Sequence, residues 1–183
     1  MELTNFAEKV QDRFKSISNL TNLSEKEFQI NCADIILNDN LKAFMEYPFP
    51  NSKDECDIVI TENDDCTKTK VWVEIKPIWP YPNSNYWSPS KFIGEAPFKK
   101  DIEKLSKISK QNKCWFLVIL FSDEQTINLS EVQDHQERKR LSSNQIVKII
   151  SDWANKNPEI IKSFNVGNLF CHLIFWQIEA VQF

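Results

Sequence analysis

The stretch VWVEIK, residues 71–76, places an acid and a base in a segment that otherwise has the composition of a β-strand. Residues two apart on a strand share a face, so Glu74 and Lys76 are predicted to project together, away from the face of the two valines. The preceding strand candidate, ECDIVI, carries Asp57, and suitable pairing would bring its carboxylate beside Glu74. The three charged side chains are therefore candidates for one site.

Two adjacent carboxylates repel each other and need a compensating positive charge. Hard oxygen ligands suit Mg²⁺ or Mn²⁺, and a nearby lysine can orient an attacking water or help to deprotonate it. These residues are therefore candidates for metal-assisted hydrolysis. The alternative is an ordinary ion pair between Glu74 and Lys76 on a solvated face, which contributes about 0–1 kcal/mol. The Glu-x-Lys spacing taken alone favours this alternative, and the order of the surrounding elements is what favours a site.

The elements that must position these residues begin with two helices. Apolar residues at helical spacing predict an amphipathic helix behind an Asn5 cap: they are Phe6, Val10, Phe14 and Ile17. The capping-box pattern Ser24-x-x-Glu27 predicts the start of a second helix, which ends in the polar run 38–40. Strand candidates follow at 41–47, 56–61 and 70–76, and their short connections predict an antiparallel meander. In the first of these strands, alternation groups Tyr47 with Leu41, Ala43 and Met45, opposite Phe44.

The second half of the chain predicts a change in strand direction. A helix marked by Phe98, Ile102, Leu105 and Ile108 precedes the continuous apolar run 114–121, which is typical of a strand covered on both faces. A strand, a crossover helix and a buried strand imply a parallel pair. A further helix over 142–155 and a closing strand region over 169–181 complete the prediction. We therefore expect a single α/β or α+β domain over residues 1–183, with a mixed sheet and an aromatic, proline-rich insertion loop at 77–97.

This order of elements, together with Asp57, Glu74 and Lys76, resembles the PD-(D/E)xK nuclease superfamily, which has the restriction-endonuclease-like fold. The order matches from about Ser24 to Phe121, although Asp57 follows Cys56 rather than the proline that names the motif. The resemblance implies that Asp57, Glu74 and the carbonyl of Ile75 bind the metal. It also implies that Lys76 positions the attacking water and stabilises developing charge.

Many members of this superfamily add a glutamate from the helix before the meander, and the chain offers two. At about 100° per residue, Glu25 falls on the apolar side of the predicted helix and Glu27 on the far side. Glu25 is therefore the candidate fourth catalytic residue, although an acid in a first helical turn can serve only the helix dipole. Glu27 fits better as the partner of the Ser24 cap, and Glu46 is a weaker candidate on an exposed position.

The loop 77–97 starts directly after Lys76, and the following helix flanks the active site in the resembling fold. Lys99 and Lys100 are therefore candidate phosphate contacts, and Trp79 and Trp87 are candidates for stacking on bases. The alternatives are a solvated helix surface for the lysines and a local hydrophobic cluster at the sheet edge for the tryptophans.

Composition excludes several other functions. The net charge of −4 and the pI near 5.3 argue against binding nucleic acid through bulk charge. With only Gly94 and Gly167, a glycine-rich phosphate loop is excluded, and with only His135 and His172, a histidine-based nucleophilic triad is not expected. His172 lies in an apolar run, where a core histidine with satisfied hydrogen bonds is the expectation.

The cysteines and the termini predict an intracellular protein. The five cysteines form no C-x-x-C pair and are expected to be reduced structural thiols. The amino terminus lacks the pattern of a signal peptide, and no apolar run is long enough to cross a bilayer. We therefore expect a soluble cytoplasmic protein without a membrane partner.

The sequence supports one leading hypothesis and two rivals. The first is a Mg²⁺- or Mn²⁺-dependent nuclease that hydrolyses phosphodiester bonds of DNA, as a possible homodimer or with a partner subunit. The second is a catalytically inactive member of the same fold that binds nucleic acid or protein. The third is an unrelated α/β domain in which Glu74 and Lys76 decorate the surface.

Overall fold

A six-stranded mixed sheet forms the centre of the computed structural model, which describes residues 1–62, 70–79, 92–94, 96, 98–131 and 141–180. The strands are β1 (Lys42–Pro48), β2 (Glu55–Thr61), β3 (Val71–Ile78), β4 (Lys113–Ser122), β5 (Ile160–Val166) and β6 (Leu169–Gln177). The helices are α1 (Leu3–Lys15), α2 (Glu25–Asn38), α3 (Lys99–Ile108) and α4 (Ser143–Ala154). The strand order across the sheet is β1-β2-β3-β4-β6-β5. The prediction of an α/β or α+β fold with a mixed sheet is therefore confirmed.

Strand directions follow the lengths of the connections. β1, β2 and β3 are antiparallel neighbours, as the meander prediction requires. β3 and β4 are parallel over eight residue pairs, because the crossover through helix α3 brings the chain back to the end of the sheet at which β3 begins. The sequence pattern predicts one closing strand, whereas the structure has the hairpin β5–β6, with Gly167 at a φ of 60° in its turn.

The core has one apolar layer on each face of the sheet. Helices α1 and α2 pack on one face, where Phe6, Phe14 and Phe28 are fully buried. Helices α3 and α4 pack on the other face, through Ile102, Leu105 and the apolar side of α4. β4 contributes alternate residues to both layers, which explains why its sequence is apolar throughout. Within the described part of the chain, no helix is long and apolar enough to span a membrane.

Three local predictions are wrong. Helix α1 begins at Leu3 behind Glu2, so Asn5 lies inside the helix instead of capping it, and Ile17 lies beyond its end. β3 continues through Pro77 and Ile78, so the irregular connection starts two residues later than predicted. Tyr47 packs against Phe44 and Trp72 rather than with Met45. Glu46 has a φ of 51°, and this left-handed residue breaks the alternation of β1.

The buried thiols and His172 have the structural roles expected. Among the described residues, Cys32, Cys56, Cys114 and Cys171 are buried free thiols, and burial raises the pKa of Cys114 to about 12. His172 is fully buried and has a partner on each ring nitrogen. Cys66 and His135 lie outside the described residues.

Candidate active site

The candidate site forms where strand β2 separates from β3. Their ladder covers three residue pairs and ends at Ile58 and Val73. Beyond that point, the backbone N–H of Ile75 donates to Oδ2 of Asp57 at 2.7 Å, so a side chain takes the place of the neighbouring strand. The Sγ of Cys56 likewise lies 3.3 Å from the Val73 carbonyl. The separation leaves a gap at this end of the sheet, and Asp57 lies in it.

Lys76 lies at the centre of a cluster of carboxylates from four elements. Its Nζ is 2.9 Å from Glu25 of α2 and 3.6 Å from Asp57 of β2. It is 3.5 Å from Glu74 of β3 and 3.6 Å from Asp101 of α3. The structure therefore brings together all four residues predicted as catalytic and adds Asp101. We call these five residues the lysine–carboxylate cluster.

Helix α2 positions two of the polar side chains of the site. Ser24 and Glu27 form the predicted capping box, with Ser24 N–H donating to Glu27 at 2.7 Å. This cap starts the helix so that Glu25 faces Lys76. One turn later, the buried amide of Gln29 donates to Oδ1 of Asp57 at 2.8 Å. The choice of Glu25 over Glu27 is thus consistent with the geometry, and Gln29 is a partner that the sequence analysis missed.

Helix α3 contributes Asp101 and Lys104, which the sequence did not predict as site residues. Asp101 accepts a hydrogen bond from Lys104 at 2.9 Å while its other oxygen faces Lys76. Lys104 also lies 3.8 Å from Asp54. A signal for Asp101 exists in the sequence: at about 100° per residue it falls between Leu105 and Ile108, on the apolar side of the helix. An acid on a buried helix face requires a polar partner.

Burial and mutual repulsion disfavour the ionised forms of two carboxyl groups. Burial raises the pKa of Glu74 well above its usual range, and the charge of Asp57 raises it further. Burial also raises the pKa of Asp57, although Lys76 and the Ile75 N–H oppose this shift. The two carboxyl groups are close enough to share a hydrogen bond when one is protonated. Ionisation of both Asp57 and Glu74 in this gap at neutral pH is therefore energetically unfavourable.

Lys76 is held as an ammonium group in this environment. Burial by itself lowers the pKa of Lys76, but the surrounding carboxylates, with Asp57 and Glu74 foremost, more than offset this effect and raise the pKa above its usual value. A protonated lysine donates hydrogen bonds and cannot accept a proton. In this arrangement Lys76 can orient an oxygen and stabilise negative charge, but it cannot act as a general base.

The donor atoms in the gap suit a hard cation. Glu74 is only 2% exposed, and its Oε1 has no hydrogen-bond partner. The carbonyl of Ile75 faces the same gap, because the N–H and C=O of a strand residue point to the same side. The described side chains contain no ready group of three or more His, Cys, Asp or Glu ligands for a metal ion. The ligand set that the resemblance implies consists of the two carboxylates of Asp57 and Glu74 and the carbonyl of Ile75.

The remaining predicted contacts lie around this cluster. Lys99 and Lys100 are exposed on α3, and Glu46 is exposed in an ion pair with Lys26 at 2.5 Å, as expected for a residue outside the site. Trp79 packs against Phe28 at 6.3 Å between ring centroids, in agreement with the local-cluster alternative. Trp87 lies outside the described residues.

Comparisons with known proteins add no relative: no protein-family model, curated protein or solved structure matches the chain. The resemblance to the nuclease superfamily therefore depends on the residues and on the order of elements given above.

Proposed function

We propose that the chain is a Mg²⁺-dependent nuclease that hydrolyses phosphodiester bonds, with DNA as its substrate. The observation that carries the proposal is the carboxylate of Glu74, which is buried beside Asp57 with one oxygen unpartnered. A buried carboxylate with an unused hydrogen-bonding oxygen and a repelling neighbour destabilises the folded state, and such groups concentrate at functional sites. A divalent cation supplies the missing partner, and oxygen ligands favour Mg²⁺ or Mn²⁺.

The order of elements supports a restriction-endonuclease-like fold for this proposal. A helix with a site glutamate precedes three antiparallel strands, and a crossover helix then leads to a parallel strand. In the resembling superfamily, the acidic residues and the lysine come from the same elements: Glu25 from α2, Asp57 from β2, and Glu74 with Lys76 from β3.

The cluster carries an excess of negative charge. When ionised, Glu25, Asp57, Glu74 and Asp101 carry four negative charges, which Lys76 offsets only in part. The remaining excess favours a divalent cation such as Mg²⁺. Asp57, Glu74 and the Ile75 carbonyl would hold this ion, which when bound polarises a phosphoryl oxygen and lowers the pKa of water.

The protein residues supply orientation and charge for an in-line attack of water on phosphorus, in which the new P–O bond forms as the P–O bond to the leaving oxygen breaks and the water releases a proton to solvent. Lys76 donates a hydrogen bond to the attacking water and stabilises the negative charge that develops on the phosphoryl oxygens. Glu25 holds the ammonium group of Lys76 at 2.9 Å, and Gln29 holds the carboxylate of Asp57 at 2.8 Å. These contacts fix the rotamers of the reacting groups, which limits the reorganisation needed during the reaction.

A non-catalytic binding protein with the same fold is the second candidate. The position of Lys76 favours it, because the ammonium group already lies among the carboxylates and neutralises part of their charge. In that case the cluster would be a buried ion network that stabilises the sheet, and it would neither bind a metal ion nor cleave DNA.

A cleavage assay separates the two candidates. Purified protein is incubated with plasmid, single-stranded DNA and RNA in Mg²⁺, Mn²⁺ or chelator, beside Glu74→Gln and Lys76→Met. We expect metal-dependent DNA cleavage that falls at least about 100-fold in both variants, because each removes charge that stabilises the transition state. Glu46→Gln, which alters an exposed glutamate outside the cluster, is the matched control and should retain activity.

Metal binding provides a readout that does not depend on the choice of substrate. With a Kd near 1 mM, about 10 mM Mg²⁺ should stabilise the wild type by about 1.4 kcal/mol and raise its Tm. Asp57→Asn and Glu74→Gln should lose this stabilisation. Cleavage that persists in chelator and in Lys76→Met would refute the mechanism, and an equal Mg²⁺ effect in all variants would refute the assignment of the ligands.

A further inference from the structure

The lysines of the protein are not paired uniformly. Most of those in the described ranges contact a carboxylate, a hydroxyl or an aromatic ring, as Lys76, Lys104, Lys113 and Lys156 do. Besides Lys53, the described lysines without such a partner lie on α3 or just after it: Lys99, Lys100, Lys107 and Lys110. Among the described residues, unpaired lysines are therefore concentrated on one helix and the residues just after it, in a protein of acidic composition.

A groove follows this helix on the side away from the lysine–carboxylate cluster. It has a volume of about 610 Å³ and lies between α3, the carboxyl end of α4 and Ala180. Lys99, Lys107 and Lys110 line it together with Glu103, so their combined charge is positive. The chain after β6 forms one wall, where Ser106 donates to the Glu179 carbonyl at 3.2 Å.

The groove also contains an aromatic side chain. Trp153 lines it, and its ring stacks on Phe92 with the ring centroids 5.4 Å apart and the planes at 20°. This contact fixes the orientation of the indole, which reduces the entropy lost when another flat group packs against it. An oriented aromatic ring beside unpaired lysines is the combination with which proteins hold unpaired bases and their phosphates.

The lysines connect this groove to the cluster around the surface of α3. With Lys99 taken as 0°, Lys107 lies at about 80°, Lys100 at about 100° and Lys104 at about 140°. Asp101, which faces Lys76, lies at about 200°. Unpaired lysines thus extend from the groove around the helix as far as Lys100, and Lys104, which is paired with Asp101, lies between them and the cluster.

We propose that this groove binds a single strand of DNA, with Lys99, Lys107 and Lys110 contacting phosphates and Trp153 stacking on a base. The inference rests on the proposed function for the identity of the ligand and extends it from the reaction site to the path of the substrate. The groove has the volume of a small-molecule pocket, and stacking on Trp153 requires an unpaired base, so a single strand fits the groove better than a duplex. Lys100 would guide the strand around α3 toward the cluster.

Binding is measured by fluorescence anisotropy with a labelled single strand of about 20 nucleotides. Chelator is present, so that cleavage cannot occur. We expect Lys107→Glu/Lys110→Glu to weaken binding about tenfold or more and to reduce the slope of log K against log salt by about 1.4, the value for two lost phosphate contacts. Trp153→Leu should weaken binding several-fold with an unchanged slope.

The control is Lys15→Glu/Lys162→Glu, which makes the same change of charge on α1 and β5, away from the groove. It should bind within about twofold of the wild type if the contact is local. Thermal unfolding of each variant verifies that the fold is retained.

Four results would overturn the inference: no binding by the wild type, equal losses in both double variants, tighter binding of a duplex, or equal competition by a polyglutamate peptide. The last result would identify an acidic protein as the partner. Binding without cleavage in metal would support the groove and contradict the nuclease. If the wild type cleaves DNA and the groove variants bind it as tightly as the wild type, the nuclease would be supported and the groove contradicted.

Discussion

Glu74 and His172 are both buried polar residues in strands of one sheet, but only His172 has its hydrogen bonds satisfied. Glu74 is 2% exposed and His172 is fully buried. The Nδ1 of His172 accepts from the Ser163 hydroxyl at 2.8 Å, and its Nε2 donates to the Glu124 carbonyl at 2.9 Å. Glu74 has one oxygen without a partner and a neighbouring carboxylate that repels it.

The strand environment explains this difference. His172 lies in a continuous ladder, where the paired residue on β5 is Ser163 and its hydroxyl reaches the ring. Glu74 lies beyond the last pair between β2 and β3, where no ladder partner remains on that side. Burial alone therefore does not identify a functional residue in this sheet. Glu74 differs from His172 because its unpartnered atom belongs to an ionisable carboxylate; the indole N–H groups of Trp72, Trp115 and Trp176 are also buried without a partner among the described residues, but they are uncharged.

The largest expected effect on stability concerns the partner of the buried carboxylates. Lys76→Met should lower the free energy of unfolding at pH 8 by about 3–5 kcal/mol, because it leaves Asp57 and Glu74 without their compensating charge. Lys156→Met is the matched control, since Lys156 also contacts two carboxylates, Glu159 and Glu179, but at the surface. That change should cost about 0–1 kcal/mol in urea denaturation. Equal costs would show that the cluster is not effectively buried.

Replacing Glu74 should raise the stability of the fold, whereas replacing His172 should lower it. Glu74→Gln should raise the free energy of unfolding at pH 8 by about 1–3 kcal/mol, because it removes a buried charge that repels Asp57. His172→Leu should lower it by about 1–3 kcal/mol, because the Ser163 hydroxyl and the Glu124 carbonyl lose their partner. Denaturant titrations of the two variants beside wild type measure both changes. Destabilisation by both substitutions would remove the contrast between the two residues.

The smallest expected effects concern pH. The pKa of Glu74 is raised above its ordinary 4.5, so the folded state binds more protons than the unfolded state, and stability falls as pH rises above 4.5. Burial lowers the pKa of His172 below its ordinary 6.5, so stability falls as pH falls below 6.5. The gain from Glu74→Gln should therefore grow with rising pH, and the loss from His172→Leu should shrink at acid pH. Tm values between pH 4 and 8 measure both trends.

The sequence predicted those members of the lysine–carboxylate cluster whose positions follow from strand alternation or from helical periodicity. The two-residue spacing placed Glu74 with Lys76, and the helical angle separated Glu25 from Glu27. Asp101 was not selected because it follows the irregular connection after β3, and the position of α3 over the sheet depends on packing. Asp101 and Gln29 share a signal, since each is a polar residue on the apolar side of a helix.

The local errors also have physical causes. The alternation that grouped Tyr47 with Met45 assumes a regular strand, and the left-handed backbone at Glu46 breaks that assumption. β5 is an edge strand in which only Phe164 is buried, so burial imposes almost no alternation on its sequence. In both strands, the alternation of apolar and polar residues depends on burial or backbone geometry that the local sequence does not determine.

Pro77 in β3 limits which partners can close the gap beside Asp57. It faces the same side as Ile75, two residues earlier, whose N–H is already bound to Asp57. Proline has no N–H, so this end of β3 offers no free backbone donor on that side. An extension of β2, or an edge strand from another molecule, could not add to the sheet there by regular pairing. Regular strand pairing would therefore not close the opening beside the cluster.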